Sequence, residues 1–322
     1  MAESEILARV KSAYEEKRNR AEGERKYRIS EVNKKYPEIE QIENEFSELG
    51  MANLKRIAAE PERAAEFNRE LKLKFLELTN MKNSLLEKYS IPKDYKEQRF
   101  ECVKCEDTGY TPDGKRCKCF EQSIIDEAFG RKEHFETLKK ENFSSFKLEY
   151  YPEEIDDVKP RETAKKSAGR AKRLCENFDN ETKGLIFIGE PGLGKSFLSN
   201  CIEGNLRRRG KTVLSVRAVQ LFKLMEDYKF GREEDYEYLR YIYESDLLII
   251  DDLGTENDSQ LNSSFFDEII NDRILHNKKT VISTNYGIEE LRNRYSTRFI
   301  SRLAEYFIVS FLYGRDIRMQ IL

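Results

Sequence analysis

The sequence predicts an α/β fold in which a parallel sheet flanked by helices follows a long, charged helical arm. Three observations carry this. A short apolar run, Leu185–Ile188, ends in the glycine turn Gly189-Glu190-Pro191-Gly192-Leu193-Gly194 and then Lys195-Ser196. Further strand patterns at Lys211–Val216, Asp246–Gly254 and Lys279–Asn285 alternate with amphipathic segments, as strands of a parallel sheet do. Residues 1–97, by contrast, read as almost wholly helical and densely charged.

Bulk properties set the outer bounds. A chain of 322 residues fits about two domains. Hydrophobic residues are 39% and charged residues 36%, so long exposed helical surface must accompany one ordinary core. A net charge of -3 argues against a whole-molecule footprint for duplex DNA. Any nucleic-acid contact is then local, or built by several subunits. The N-terminus Met-Ala-Glu-Ser-Glu carries no basic or apolar leader pattern, and no apolar run approaches the ~20 residues a bilayer needs. A cytosolic chain that uses no membrane is expected, and its six cysteines are not expected to form structural disulfides.

The arm, residues 1–97, is thinly apolar at first (Ile6, Leu7, Val10, Tyr14) and sharpens after Pro37. Ile39, Ile42, Phe46 and Leu49 follow 3-4-3 spacing; so do Ala64, Phe67, Leu71, Leu78, Met81 and Leu85, broken once at Lys74. Such seams bury one stripe against a partner helix. Pro61 is placed to start the second helix. A self-contained hairpin and a partner-docking arm are both open readings.

Residues 98–141 hold Cys102-Val-Lys-Cys105 and Cys117-Lys-Cys119 around the turn formers Gly109, Pro112 and Gly114. Four thiolates this close fit a tetrahedral Zn²⁺ site with no open position, hence structural; a redox pair or an iron–sulfur cluster is the rival. Gln122–Lys140 reads as a charged helix. Residues 142–160 read as an aromatic linker, Pro160 opens a helix to about Asn177, and residues 161–322 form the α/β domain. Cys175 and Cys201 fall in helices near the first strand and read as core.

The chemistry sits at strand ends. Gly189–Ser196 matches G-x-x-x-x-G-K-[ST] between a strand and a helix, the setting in which backbone N–H groups and a helix N-terminus cradle phosphates. Residues Gly189, Glu190, Pro191, Gly192, Leu193 and Gly194 form the cradle, Lys195 reaches the β- and γ-phosphates of ATP, and Ser196 ligates Mg²⁺. The run Leu247–Ile250 ends in Asp251-Asp252. Asp251 is assigned to Mg²⁺ and Asp252 to the attacking water. Asn285, at the tip of a third strand, is placed to position that water or read the γ-phosphate.

Gly189–Ser196, Leu247–Gly254, Ser283–Asn285, Ser301-Arg302-Leu303 and the ending Gly314–Arg318 together resemble an AAA+ ATPase of the DnaC/DnaI helicase-loader and IstB group. The resemblance covers about residues 142–322, and the cysteine block resembles the zinc-bearing N-terminal part of Firmicute-type loaders. It implies that Asn285 is a sensor-1 residue, Arg302 an arginine finger acting on a neighbouring subunit's nucleotide, and Arg318 a sensor-2 arginine. It also implies partners: a DnaB-type replicative helicase, single-stranded DNA and further copies of this chain. Tyr228-Lys229-Phe230-Gly231-Arg232 falls where initiator-like relatives line a single-strand channel, and its aromatics and cations suit stacking and phosphate tracking; ordinary packing is the alternative. Asp252 departs from the Glu that many AAA+ proteins carry, which implies slow hydrolysis. The expected function is an ATP-dependent helicase loader. A transposition helper of the IstB kind and an adaptor that binds ATP without turnover are the alternatives. An initiator of the DnaA kind is disfavoured, since the chain ends at Leu322 without room for a helix-turn-helix domain.

Overall fold

The computed structural model describes residues 3–131, 134–229, 236–256 and 260–321. They divide into two compact units, Ser12–Pro112 and the combination of Met1–Lys11 with Asp113–Leu322.

Three helices build the first unit: α1 (Glu3–Lys35, which begins in the other unit), α2 (Pro37–Ala59) and α3 (Ala64–Lys88). Tyr36, driven from helical geometry by the proline after it, separates α1 from α2. A single 3-10 turn, Pro61–Arg63, precedes α3, so the proline opens a turn rather than the α-helix itself. Helices α2 and α3 run antiparallel, as the pairings Phe46–Phe75, Asn53–Asn68 and Arg56–Glu70 require.

The seam on α3 differs from the expected one. Phe67, Leu78 and Leu86 are buried, with Leu71, Phe75 and Lys82 partly so, while Met81 is 57% exposed. The series runs through Phe75 and Lys82 rather than Lys74 and Met81. Lys82 holds its place by pairing with Glu43 at 2.9 Å, beside the ring of Tyr95. Burial opposes ionisation of Glu43, yet its bonds to Lys96, Lys82 and Tyr95 outweigh this and keep the carboxyl below its usual value.

The second unit continues with α4 (Lys118–Ala128), α5 (His134–Lys140), α6 (Pro160–Glu176), β1 (Gly184–Ile188) and α7 (Lys195–Arg208). Then come β2 (Val213–Arg217), α8 (Ala218–Lys229), α9 (Tyr236–Glu244), β3 (Leu247–Leu253) and α10 (Gln260–Leu275). The chain closes with β4 (Lys279–Thr284), α11 (Ile288–Arg294), α12 (Thr297–Tyr306), β5 (Phe307–Phe311) and α13 (Arg318–Ile321). The single helix expected over Gln122–Lys140 is instead two. Gly130 adopts φ +64°, and Arg131 N donates to Asp126 O at 2.8 Å, which is how a glycine just past a helix end stops it.

The five strands among the described residues are parallel, in the order β2-β3-β4-β1-β5, with helices around them; four of them are the strands the alternation predicts, and β5 is additional. The core below the sheet is Leu185, Phe187, Leu198, Ile202, Leu206, Val213, Ile249 and Val281, all essentially inaccessible. Cys175 lies in it and Cys201 is likewise buried, and burial pushes both thiols up to about 12.

Strand β2 lies at the edge of the sheet, and α4 closes that edge. Gln122 accepts from Val213 N at 2.7 Å and donates to Val213 O at 2.9 Å, satisfying groups that would otherwise invite another strand. Arg131 donates to Ser215 O at 2.7 Å. On α7, the fully buried Glu203 meets Arg131 and His134 at 3.3 Å each and Arg207 at 2.6 Å. Burial favours its neutral form, but His134, Arg207 and Arg131 outweigh burial and hold the carboxyl below the usual range.

Arg273 performs a similar task at the opposite ends of the strands. Its guanidinium, wholly buried on α10, donates to Ile242 O (2.6 Å), Ser245 O (3.1 Å) and Lys279 O (2.6 Å). Arg273→Met keeps much of the volume and removes every donor, so we expect a loss of roughly 3 kcal/mol or more, read as a lower urea midpoint.

Candidate functional site

Parallel sheets gather their strand ends on one side, and ligands bind there. Here β4 lies between β1 and β3, so the residue after β4 sits between the glycine turn after β1 and the carboxylates ending β3. That residue is Asn285. Its Oδ1 accepts from Lys195 Nζ at 2.7 Å, and Lys195 also donates to Gly189 O (2.6 Å) and Glu190 O (2.8 Å). Burial lowers the pKa of Lys195, and the negative charges of Asp252, Asp251 and Glu190 act against that shift.

The turn itself depends on close approach. Gly194 has φ +82°, and a Cβ there would lie 2.9 Å from the Tyr151 hydroxyl. That hydroxyl donates to Leu193 O at 2.7 Å, pinning the turn from behind. Lys195 then begins α7, so the first-turn amides of a long helix face the pocket.

The carboxylate pair is shaped by a bulge. Ile250 aligns with Ile282 but Leu253 with Thr284, so β3 carries one residue more than β4 there. Asp252 takes up the excess at φ +54°, a left-handed conformation that aspartate tolerates better than most residues. Ser283 Oγ donates to Asp251 Oδ1 and accepts from Asp252 N at 3.0 Å. Ser196 Oγ reaches the same Asp251 oxygen at 3.0 Å. Ser196 and Asp251 are therefore adjacent oxygen donors of the kind Mg²⁺ takes.

A cavity of about 560 Å³ opens here, lined by Gly192, Gly194, Lys195, Ser196, Asp252, Asn285 and Arg318 among others. Its remaining wall comes from a stretch whose role the sequence reading missed. Phe146, Lys147, Tyr150 and Tyr151, all within 142–160, line it with Phe197. Phe146 stands 5.7 Å from the Tyr151 ring and 5.8 Å from the Phe197 ring, an apolar wall suited to a flat aromatic ligand. The density of aromatics at Phe143, Phe146, Tyr150 and Tyr151 was the available signal.

Two other expected residues lie differently. Arg318, at the start of α13, lines the cavity and pairs with Asp316 at 2.7 Å. Arg302, half-buried on α12, donates to Asn271 Oδ1 at 2.8 Å and does not line this cavity. Tyr228 ends up 37% exposed near the end of α8, whereas Phe230, Gly231 and Arg232 lie outside the described residues.

The cysteines form a second centre. Asp107 accepts from the amides of Glu101 (2.8 Å) and Cys102 (2.9 Å), folding the first pair into a tight turn. The sulfurs of Cys102, Cys105, Cys117 and Cys119 lie within 4.8 Å of one another. Tetrahedral Zn–S bonds of about 2.3 Å place sulfurs about 3.8 Å apart, so the four fit that ion.

A family model described as IstB-like ATP binding protein matches residues 131–301. The replicative helicase loader DnaC of Escherichia coli K12 is 28% identical over 135 residues, covering 42% of this chain and 55% of that protein. The chain thus spans about half the length of the curated relatives it matches. A crystal structure of the DnaC helicase loader aligns with 55% of this chain and 99% of its own, at 22% identity and a TM-score of 0.47. One of DnaI aligns with 55% and 94% at the same identity and score. No helix among the described residues is long and apolar enough to cross a membrane.

Burial and then the neighbouring Asp251 charge raise the Asp252 carboxyl above its usual value. Its ionised form therefore lowers folding stability, fully above the folded pKa, and this effect vanishes below the unfolded value. Asp252→Asn is expected to raise the denaturation midpoint at pH 7, with the gain shrinking as pH falls through the carboxylate range. A gain independent of pH would instead indicate packing.

Proposed function

Because the chain belongs to the family of IstB-like ATP-binding proteins, we propose that it is an ATPase of the AAA+ kind that loads a DnaB-type replicative helicase onto single-stranded DNA. The observation that carries the ATPase half is the meeting of Lys195, Asn285, Ser196, Asp251 and Asp252 at one group of strand ends. The loader half rests on similarity to DnaC and on the helical arm and cysteine cluster that precede the ATPase part.

In this reading the amides from Gly192 to Ser196 bind the phosphates of ATP, and Lys195 leaves its carbonyl partners to neutralise the β- and γ-oxygens. Ser196 and Asp251 hold Mg²⁺, which when bound supplies positive charge against the phosphates. Asp252 orients the attacking water and accepts its proton, for which a raised pKa suits it. Asn285 fixes that water or the γ-phosphate. The aromatic wall takes the adenine. Arg318 reads the γ-phosphate from the same chain. Arg302 lies on a surface helix and acts on the nucleotide of a neighbouring copy, so ATP binding promotes assembly. That assembly as a whole holds single-stranded DNA. The four cysteines hold a structural Zn²⁺.

A helper of the IstB kind, presenting DNA to a transposase, is the second reading, favoured by the family model itself. Tagged protein in native lysate separates the two: a hexameric helicase should co-purify, and recovery of a transposase instead would overturn the loader assignment. Lys195→Ala should abolish nucleotide binding. Asp252→Asn should keep binding and lower phosphate release by roughly 100-fold with helicase and single-stranded DNA present. Equal rates for wild type and Asp252→Asn would refute the hydrolysis mechanism. One zinc per chain is expected by elemental analysis, and Cys117→Ser should lose it together with thermal stability. A zinc-free protein that stays folded would remove the metal.

A further inference from the structure

The C-terminal segment does more than end the fold, because it returns to the glycine turn. Leu312 N donates to Ile188 O at 2.8 Å, extending β5 alongside β1, and Ile317 N donates to Gly192 O at 3.0 Å. Between them Asp316 lies against Gly192 so closely that a Cβ there would fall 1.9 Å from its Oδ1. The same carboxylate grips Arg318 three times. Oδ1 accepts from the Arg318 backbone N at 2.9 Å and from Nε at 3.0 Å, while Oδ2 accepts from Nη2 at 2.7 Å.

We propose that Asp316 is a positioning residue: it docks the C-terminal segment on the phosphate loop at Gly192 and presents the Arg318 guanidinium to the pocket. Three features support this. The Arg318 side chain is 68% exposed, and a long exposed arginine ordinarily samples many rotamers; a two-pronged pairing with a carboxylate is what selects one. That fork engages Nε and Nη2, which leaves the Nη1 side for an anion. Arg318 lines the same cavity as Lys195 and Asp252, whereas Asp316 is not part of its lining. Asp316 therefore acts through Arg318 rather than on the ligand. Gly192 becomes a joint between loop and tail. Its φ of +77° favours glycine and a Cβ there would meet the Asp316 carboxylate itself, so movement of the turn and placement of the arginine are mechanically linked.

This inference rests on the reading that Arg318 senses the γ-phosphate, and one experiment separates the two. Dissociation constants for a non-hydrolysable ATP analogue and for ADP are measured on the full chain, in wild type, Asp316→Ala, Arg318→Ala and the double variant, with melting temperatures as a check on folding. Arg318→Ala should weaken the ATP analogue about tenfold more than ADP, the scale of one charge-assisted hydrogen bond. Asp316→Ala should reproduce most of that selective loss. The double variant should be no worse than Arg318→Ala alone, the non-additivity of residues that act as one unit. Asp316→Asn, which keeps size and one acceptor, should fall between wild type and Asp316→Ala. If Asp316→Ala weakens both nucleotides equally and adds to Arg318→Ala, Asp316 merely supports the loop and the proposal is wrong. Tighter binding of the ATP analogue by Asp316→Ala would overturn it too, since Asp316 would then be withholding Arg318. If Arg318→Ala leaves the preference for the ATP analogue unchanged, the sensor reading itself fails, and the positioning role with it.

Discussion

Ser283 bonds in two directions, giving its proton to Asp251 and taking the amide proton of Asp252, and much of the site depends on that exchange. In an unbroken strand adjacent side chains point to opposite faces, so two consecutive aspartates would not serve one ligand. The extra residue in β3 and the left-handed turn at Asp252 change this. Asp251 meets Ser196, and Asp252 lines the cavity. A bulge at a sheet end leaves backbone groups without their usual ladder partners. Here Ser283 and Thr284 supply them, Thr284 Oγ1 donating to Leu253 O at 2.7 Å. The polar end of β4 is thus the mould for the acidic end of β3.

That dependence also explains what could be read from the sequence. The strand, turn and helix around Gly189–Ser196 are local: period, glycine spacing and the following amphipathic helix all fall within about two dozen residues, and the structure has them where the pattern puts them. The acidic strand end and Asn285 are legible for the same reason. Ser283 has no such signal, because its importance arises only when β4 aligns with β3. The stretch 142–160 reads as a linker for a related reason, since nothing local says that Phe146 and Tyr150 will stand across from a loop some 45 residues later. Likewise Lys82 hides a seam position behind a charged head group, although a lysine stem can lie along apolar surface with its ammonium on Glu43. The break after Ala128 was readable from Gly130, but the continuous charge pattern on either side outweighed a lone glycine.

Two distant parts of the chain, Tyr151 and the C-terminal segment, converge on the turn after β1, and their three contacts each press on a different glycine. Tyr151 approaches Gly194, Leu312 approaches Gly189, and Asp316 approaches Gly192. The glycines thus have two functions at once. They let amides face inward, and they let the wall and the tail come close enough to feel a change in the turn. A loop held at three points is preorganised, which lowers the entropy a ligand must remove. It also gives each segment a way to respond when the turn shifts.

The charged groups of the site already have protein partners. Lys195 is held by two carbonyls and Asn285, Ser196 by Asp251, and Arg318 by Asp316. Under the proposed function a nucleotide must exchange these bonds for its own, so its binding energy is a difference between two satisfied states rather than a sum of new contacts. Such an exchange does not favour very tight binding. It favours a site in which the loss or gain of one phosphate rearranges several partners together: the lysine from the turn, the amide from β4 and the arginine carried by the tail. Under the same proposal, with Asp252 orienting the water and an aromatic wall on the far side, the site has the physical character of a switch that reports which nucleotide it holds.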